Sequence, residues 1–349
     1  MAEQRSIMEK DMNKGMLSQF GRGYLRPAIM FVLAASAAGI VAAQGIPGWS
    51  FSASSGLEIL YGTGYEYVLD PYTGGKVSEL DWGIDPIVAL SSSASARWRD
   101  TEFSLSCAAG IPGNSGIITD SDWLNEGTGY TNWKTNYSES SAVSERLIDL
   151  SLTLGQVFEP SYGSSLKLFA GYRYFDIAWS AHGGWLQYAD NITNANPPYD
   201  PYTTGPKTTL YGLLSTYEQQ YTAVIVGLSG NFKLSSRFAI EGSVQFSPAV
   251  YCTAVDNHIL RSVTFTDTMS GGLLFEPELA FDWTPTRVFG LSLSVKYTSI
   301  SGLKGDDVET GNTGVTGEAV GEGQSITYPN SAGAALNALG VGLSAMLYI

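Results

Sequence analysis

A two-residue alternation of apolar and polar positions dominates this chain. Phe103, Leu105, Cys107, Ala109 and Ile111 interleave with Ser104, Ser106, Ala108 and Gly110, and Leu291, Leu293, Val295 and Tyr297 interleave with Ser292, Ser294, Lys296 and Thr298. Successive side chains of an extended segment point to opposite faces, so each run has one apolar face and one small or polar face. A soluble sandwich produces the same signal, and the connections must decide. Tight turns at Arg99-Asp100-Thr101, 159–164, Ser235-Ser236-Arg237 and 284–287 alternate with long polar stretches near 67–76, 119–145, 183–215, 255–268 and 302–331. Short turns at one end and long loops at the other characterise outer-membrane barrels.

The expected fold is therefore an all-β, ten-stranded antiparallel transmembrane β-barrel with long extracellular loops and short periplasmic turns. Its strands fall roughly at 50–66, 77–98, 102–118, 146–158, 165–182, 216–234, 237–254, 259–283, 288–301 and 332–349. Most exceed the roughly 10 residues needed to cross a bilayer, so they should project beyond it. Trp82, Trp98, Trp123, Tyr172, Tyr174, Trp179 and Tyr188 lie near strand ends, where interfacial aromatic girdles belong.

The N-terminus reads as an export signal. Lys14, Arg22 and Arg26 precede an apolar stretch from Pro27 to Val41, and Val41-Ala42-Ala43 supplies small residues for cleavage before Gln44. Residues 1–43 are expected to be removed and 44–349 to form one barrel domain; Met8, Met12 and Met16 are alternative starts. Removing 1–43 takes five basic and three acidic residues from a chain of net charge −14, leaving about −16. Such a balance excludes nucleic acid as a natural partner and suits basic substrates. The barrel pattern implies outer-membrane lipid as a partner, and a monomeric state is expected.

Cys107 and Cys252 are each in phase with apolar neighbours, Phe103 and Leu105 for the first, Phe246 and Val250 for the second. Both are expected to be free thiols facing lipid. With two histidines in all and the cysteines outside, no metal site is expected. Asp256-Asn257-His258 puts a carboxylate and an imidazole on one face of an extended segment, an arrangement that orients the ring and raises its basicity. Asp120-Ser121-Asp122 repeats the spacing with two carboxylates. Taken singly, the first is a common loop tripeptide and the second an ordinary turn. His182 has no acidic neighbour in sequence and reads as structural. Asp81 and Asp85 are expected to line the lumen without a catalytic role.

In their order and spacing, Val77-Ser78-Glu79-Leu80-Asp81-Trp82, Asp120-Ser121-Asp122-Trp123, Ala170-Gly171-Tyr172, Gly183-Gly184, Val226-Gly227-Leu228 and Asp256-Asn257-His258 resemble the omptins. These are outer-membrane endopeptidases built as narrow ten-stranded barrels. The resemblance runs from about Leu57 to the C-terminus. It implies an aspartic-type endopeptidase of the cell outer membrane in which His258 deprotonates a water and Asp256 orients the imidazole. Asp120 and Asp122 would hold that water and the tetrahedral centre from the opposite wall. Glu66 falls where the family has a glutamate deep in the pocket for a basic side chain. Ala254 stands where strongly basic-selective members carry a second acid, which lowers the charge of that pocket.

No cofactor is expected. Of the family residues that grip lipopolysaccharide, Tyr172 is matched, while Tyr174 and Asp176 stand in place of a glutamate and an arginine. That substitution argues against dependence on the lipid. The competing readings are a non-catalytic omptin-fold adhesin or receptor and a small porin. A ten-stranded lumen is largely filled by side chains, which disfavours the porin.

Overall fold

The alternating segments close on one another to form a ring with no free edge. The computed structural model describes residues 48–125, 133–161, 163–192 and 197–348; the expected signal peptide lies outside them. Eleven strands follow one another: β1 (Trp49–Leu69), β2 (Lys76–Trp98), β3 (Thr101–Gly110), β4 (Gly113–Asp122), β5 (Asn136–Ser161), β6 (Ser164–Tyr188), β7 (Lys207–Lys233), β8 (Phe238–His258), β9 (Val263–Trp283), β10 (Phe289–Gly311) and β11 (Ser325–Tyr348). All pair antiparallel with their neighbours, and β1 pairs with both β2 and β11. Closure gives every strand two partners, which a membrane demands because hydrocarbon cannot hydrogen-bond an exposed edge.

Ten wall positions carry the eleven strands. β3 and β4 both bridge β2 and β5, β3 at the short-turn end and β4 at the long-loop end. The break falls at Ile111-Pro112, where proline lacks the N–H that a ladder needs. The strands also run further than alternation indicated. β5 starts at Asn136, β7 at Lys207 and β10 ends at Gly311, so the connecting loops shrink accordingly. Above the membrane both wall faces meet polar surroundings, and the apolar-out signature disappears there.

The outer wall carries a belt of exposed apolar side chains, among them Leu57, Leu152, Leu168, Val226, Leu279 and Leu343. Inside that belt the lumen is filled by paired charges. Arg173 Nη1 lies 2.6 Å from Glu276 and its Nη2 lies 2.8 Å from Asp149, while Lys296 Nζ lies 3.1 Å from Glu58. Buried ions survive when each is paired and hydrogen-bonded.

Three expectations about which side residues face are corrected. Cys107 remains on the outer wall beside exposed Leu150, but Cys252 is buried in the lumen; both are free thiols. A register shift between Ser247 and Val250 adds a residue to β8, so Phe246 points out and Val250 and Cys252 point in. A bulge reverses the face of everything beyond it. Trp82 and Trp179 are likewise not girdle residues: both are fully buried in the lumen, whereas Trp98, Tyr172 and Tyr188 are exposed. Asp81 alternates with inward Leu80 and Trp82 and so lies on the outer side, and Asp85 is exposed.

Candidate active site

At the long-loop end two acid pairs stand on walls four positions apart in a ring of ten. Asp120 and Asp122 close β4, and Asp256 and His258 close β8. In each case alternation turns both members of the pair to one face. His258 Nε2 lies 2.7 Å from Asp256 Oδ2, an ion-pair contact whose angle is not that of an aligned hydrogen bond. The ring meets Phe265 edge-on at 5.5 Å. Across the lumen Ser78 donates to Asp120 Oδ1 at 3.3 Å, and Asn136, directly opposite Asp122 on β5, donates to its Oδ2 at 2.8 Å.

These groups lie above the apolar belt, and their protonation follows from burial and mutual repulsion. Burial pushes the Asp120 carboxyl up to about 8, with the Asp122 charge adding to the rise. Asp122 is also raised by burial, against the hydrogen bonds from Ser78 and Asn136. Burial works against a charged His258, but the Asp256 carboxylate outweighs it and lifts the imidazole above its ordinary 6.5. Asp120 acts on His258, and His258 on both aspartates, so the two walls share one electrostatic site.

Glu66 on β1 completes the set from a third wall. It is buried, and Trp82 Nε1 donates to its Oε2 at 3.2 Å. Burial, then the charges of Asp256 and Asp267, hold its carboxyl well above the usual range. Trp82 stacks on Tyr217 at 5.2 Å, and Trp179 packs against both rings. Gly64 permits this, because a Cβ there would meet Trp179 Cη2 at 2.6 Å. The five residues singled out from sequence thus open into one mouth. His182 does not join them. It is nonetheless not isolated from acid: Ser180 Oγ lies 2.9 Å from its Nε2 and donates to Glu145 at 2.6 Å, a link sequence proximity could not show.

Most of this architecture is matched by a known family model. Residues 48–344 match the model of the Omptin family. The chain belongs to the omptin family. Over 225 residues it is 25% identical to the plasminogen activator of Yersinia pestis, covering 64% of this chain and 67% of that protein. Its fold is similar to that of the outer membrane protease OmpT from Escherichia coli, with a TM-score of 0.75 at 16% identity, covering 86% of this chain and 97% of that one. As an omptin it is an outer-membrane β-barrel of the protease class, and the apolar belt marks where its strands cross the membrane.

Sequence reasoning missed several side chains around this omptin site. Ser78 was quoted as part of a pattern but not as a donor to Asp120. Asn136 fell inside an assumed loop. Arg261, three residues past His258, holds Glu318 through two 2.8 Å contacts and so ties the β8–β9 turn to the β10–β11 loop. Its charge works against the rise of the Asp122 carboxyl. Asp307 fell inside an assumed loop and Asp267 where an assumed loop and strand overlap; both face the lumen, on β10 and β9.

Proposed function

We propose that this omptin is a surface endopeptidase that hydrolyses peptide bonds through a water activated by His258 and Asp256 and held against Asp120 and Asp122. The observation that carries the reading is the acid–imidazole pair of buried Asp256 and half-buried His258, set across the lumen from two half-buried carboxylates that repel one another. Its Nε2 is engaged by Asp256, so Nδ1 is the nitrogen that takes the proton from water. The water oxygen bonds to the scissile carbonyl carbon, and the carbonyl π pair moves onto oxygen. Two half-buried carboxylates that repel one another keep one proton between them, and that O–H donates to the developing oxyanion. Collapse of the tetrahedral centre breaks the C–N bond, and His258 returns its proton to the departing amine. The chemistry needs no serine or cysteine nucleophile and no cofactor.

Substrate choice follows from charge. Glu66 offers a buried carboxylate beside the site, and a charge-assisted hydrogen bond there favours Arg or Lys at the residue before the scissile bond. Peptides and proteins at the cell surface are the partners, and the barrel acts as a monomer in outer-membrane lipid. Tyr174 and Asp176 support independence from lipopolysaccharide, since Arg146 already pairs with Asp176 at 2.7 Å and with Glu218 at 2.6 Å.

The test is cleavage of a fluorogenic peptide library by refolded barrel and by His258→Ala. Removing a general base should lower kcat by about 100- to 10,000-fold while the barrel still folds. Undiminished cleavage by the folded variant refutes the mechanism. A wild type that cleaves nothing but binds proteins through its loops would favour the adhesin or receptor reading.

A further inference from the structure

The lumen treats its acids in two ways. Inside the apolar belt Glu58, Asp149 and Glu276 each meet a lysine or arginine. At the mouth Glu66, Asp267, Asp307 and Glu309 are all at least nine-tenths buried, and none of them forms an ion pair with Lys or Arg among the described residues. Asp307 Oδ1 and Glu309 Oε1 are buried with no hydrogen-bond partner, although Tyr328 donates to the other oxygen of Glu309 at 2.8 Å. Buried carboxylates lacking a counter-charge are costly, and the hydrolytic step uses none of these four.

Strand register shows what they surround. Asp267 on β9 stands directly opposite Ala254 on β8 and directly opposite Asp307 on β10. Opposed residues of an antiparallel ladder hold their Cβ atoms about 4.5–5.5 Å apart. The space above the Ala254 methyl is therefore bordered by Asp267, with Asp307 behind it. Glu66 is buried on β1, three wall positions from β9 around the same ring, and the charge of Asp267 acts on it. Among the described residues no three acids, histidines or cysteines converge as the ligands of a metal ion do, so a longer organic cation fits the spacing better.

We infer that Asp267 and Asp307 form, with Glu66, the receptor for the positively charged side chain of the substrate, Asp267 supplying from across one strand the acid that position 254 lacks. This deepens the peptidase reading and rests on it for the identity of the cation as a substrate side chain. An arginine entering between Glu66 and Asp267 would find acceptors on two sides of its planar fork, a geometry that a lysine ammonium fills less completely. Selectivity for arginine over lysine is the consequence.

The experiment compares matched peptides with arginine or its neutral isostere citrulline before the scissile bond. Asp267→Asn should reduce the arginine-to-citrulline ratio of kcat/KM by about tenfold or more, the scale of one lost charged hydrogen bond. The relocation variant Ala254→Asp/Asp267→Ala should recover most of the ratio, because the carboxylate is only moved to the facing position. An unchanged ratio in folded Asp267→Asn overturns the inference. Should Asp267→Asn not fold, a relocation variant that folds with the ratio lost overturns it equally. A second measurement does not depend on hydrolysis: binding of p-aminobenzamidine to the His258→Ala barrel, followed by fluorescence, should weaken about tenfold on adding Asp267→Asn. If the probe responds while no peptide is cleaved, the receptor stands and the peptidase reading falls. If peptides are cleaved and neither ratio nor probe responds, the receptor falls alone. Calcium competing as well as the probe would assign the acids to a metal and overturn the inference.

Discussion

His258 carries two opposed influences whose balance sets the pH below which its imidazole is charged. Burial disfavours the imidazolium, and the Asp256 carboxylate 2.7 Å away favours it more strongly. A base must be neutral to accept a proton, so the acid limb of the kcat/KM profile is expected above the 6.5 of a free imidazole. The shared proton of the Asp120–Asp122 pair is lost near pH 8, which should bend the profile down again on the alkaline side. Asp120→Asn, which keeps a non-titrating donor at position 120 at any pH, should abolish the alkaline limb and keep the acid one. A stopped assay across pH 5–10 reads both limbs directly. At this scale the sequence was informative: spacing two put each pair on one face, and the family pattern assigned Asp120, Asp122, Asp256, His258 and Glu66. Spacing could not show that Asn136 would meet Asp122, because that contact is made between strands.

Individual strands show why the remainder was harder to read. In β8 the phase was legible as far as Phe246 and wrong beyond it, since the extra residue between Ser247 and Val250 carries no distinctive sequence signal apart from Pro248. In β5 and β7 the upper halves contain Ser, Thr, Tyr and Gln on both faces, so a period of two has nothing to register. The lower halves alternate sharply because one face meets lipid. There the lumen is held by Arg173, whose guanidinium bridges Asp149 on β5 and Glu276 on β9. Arg173→Met would leave two buried carboxylates without that partner. It is expected to destabilise the barrel by about 3–5 kcal/mol, the usual result of removing one side of a buried pair. Urea unfolding in detergent micelles, followed by the gel shift between folded and unfolded barrel, measures it. A loss under 1 kcal/mol would mean that Lys296 neutralises both acids alone.

Across the whole molecule the mouth behaves as a titrating assembly. Asp120 and Asp267 are raised to about 8, Asp307 to about 6, and Glu66 and Asp122 also upward, chiefly by burial. A carboxyl raised in the folded state stabilises it fully below the unfolded value of 3.8 and loses that contribution as pH climbs through the folded value. The barrel should therefore melt at a higher temperature at pH 5 than at pH 9, with the loss running from about 3.8 to about 8 and steepest below about 6, where Asp307 also contributes. Glu66→Gln should flatten the dependence. Thermal scans at fixed ionic strength test this, and a Tm that rises with pH over that window would contradict it.

The amino-acid sequence alone determined that this chain is a barrel and singled out the residues proposed for its chemistry. Alternation against a lipid face needs only local spacing, turn length is local, and the acid–imidazole and acid–acid pairs lie two residues apart. The tertiary structure decided what depends on neighbours distant in sequence: ring closure between β1 and β11, the face of Cys252 beyond its bulge, and the burial that holds protons on Asp120 and Glu66. It also placed Asp267 opposite Ala254, thirteen positions away along the chain and adjacent in space. Register between strands converts sequence separation into contact, and no pattern within a single strand encodes it.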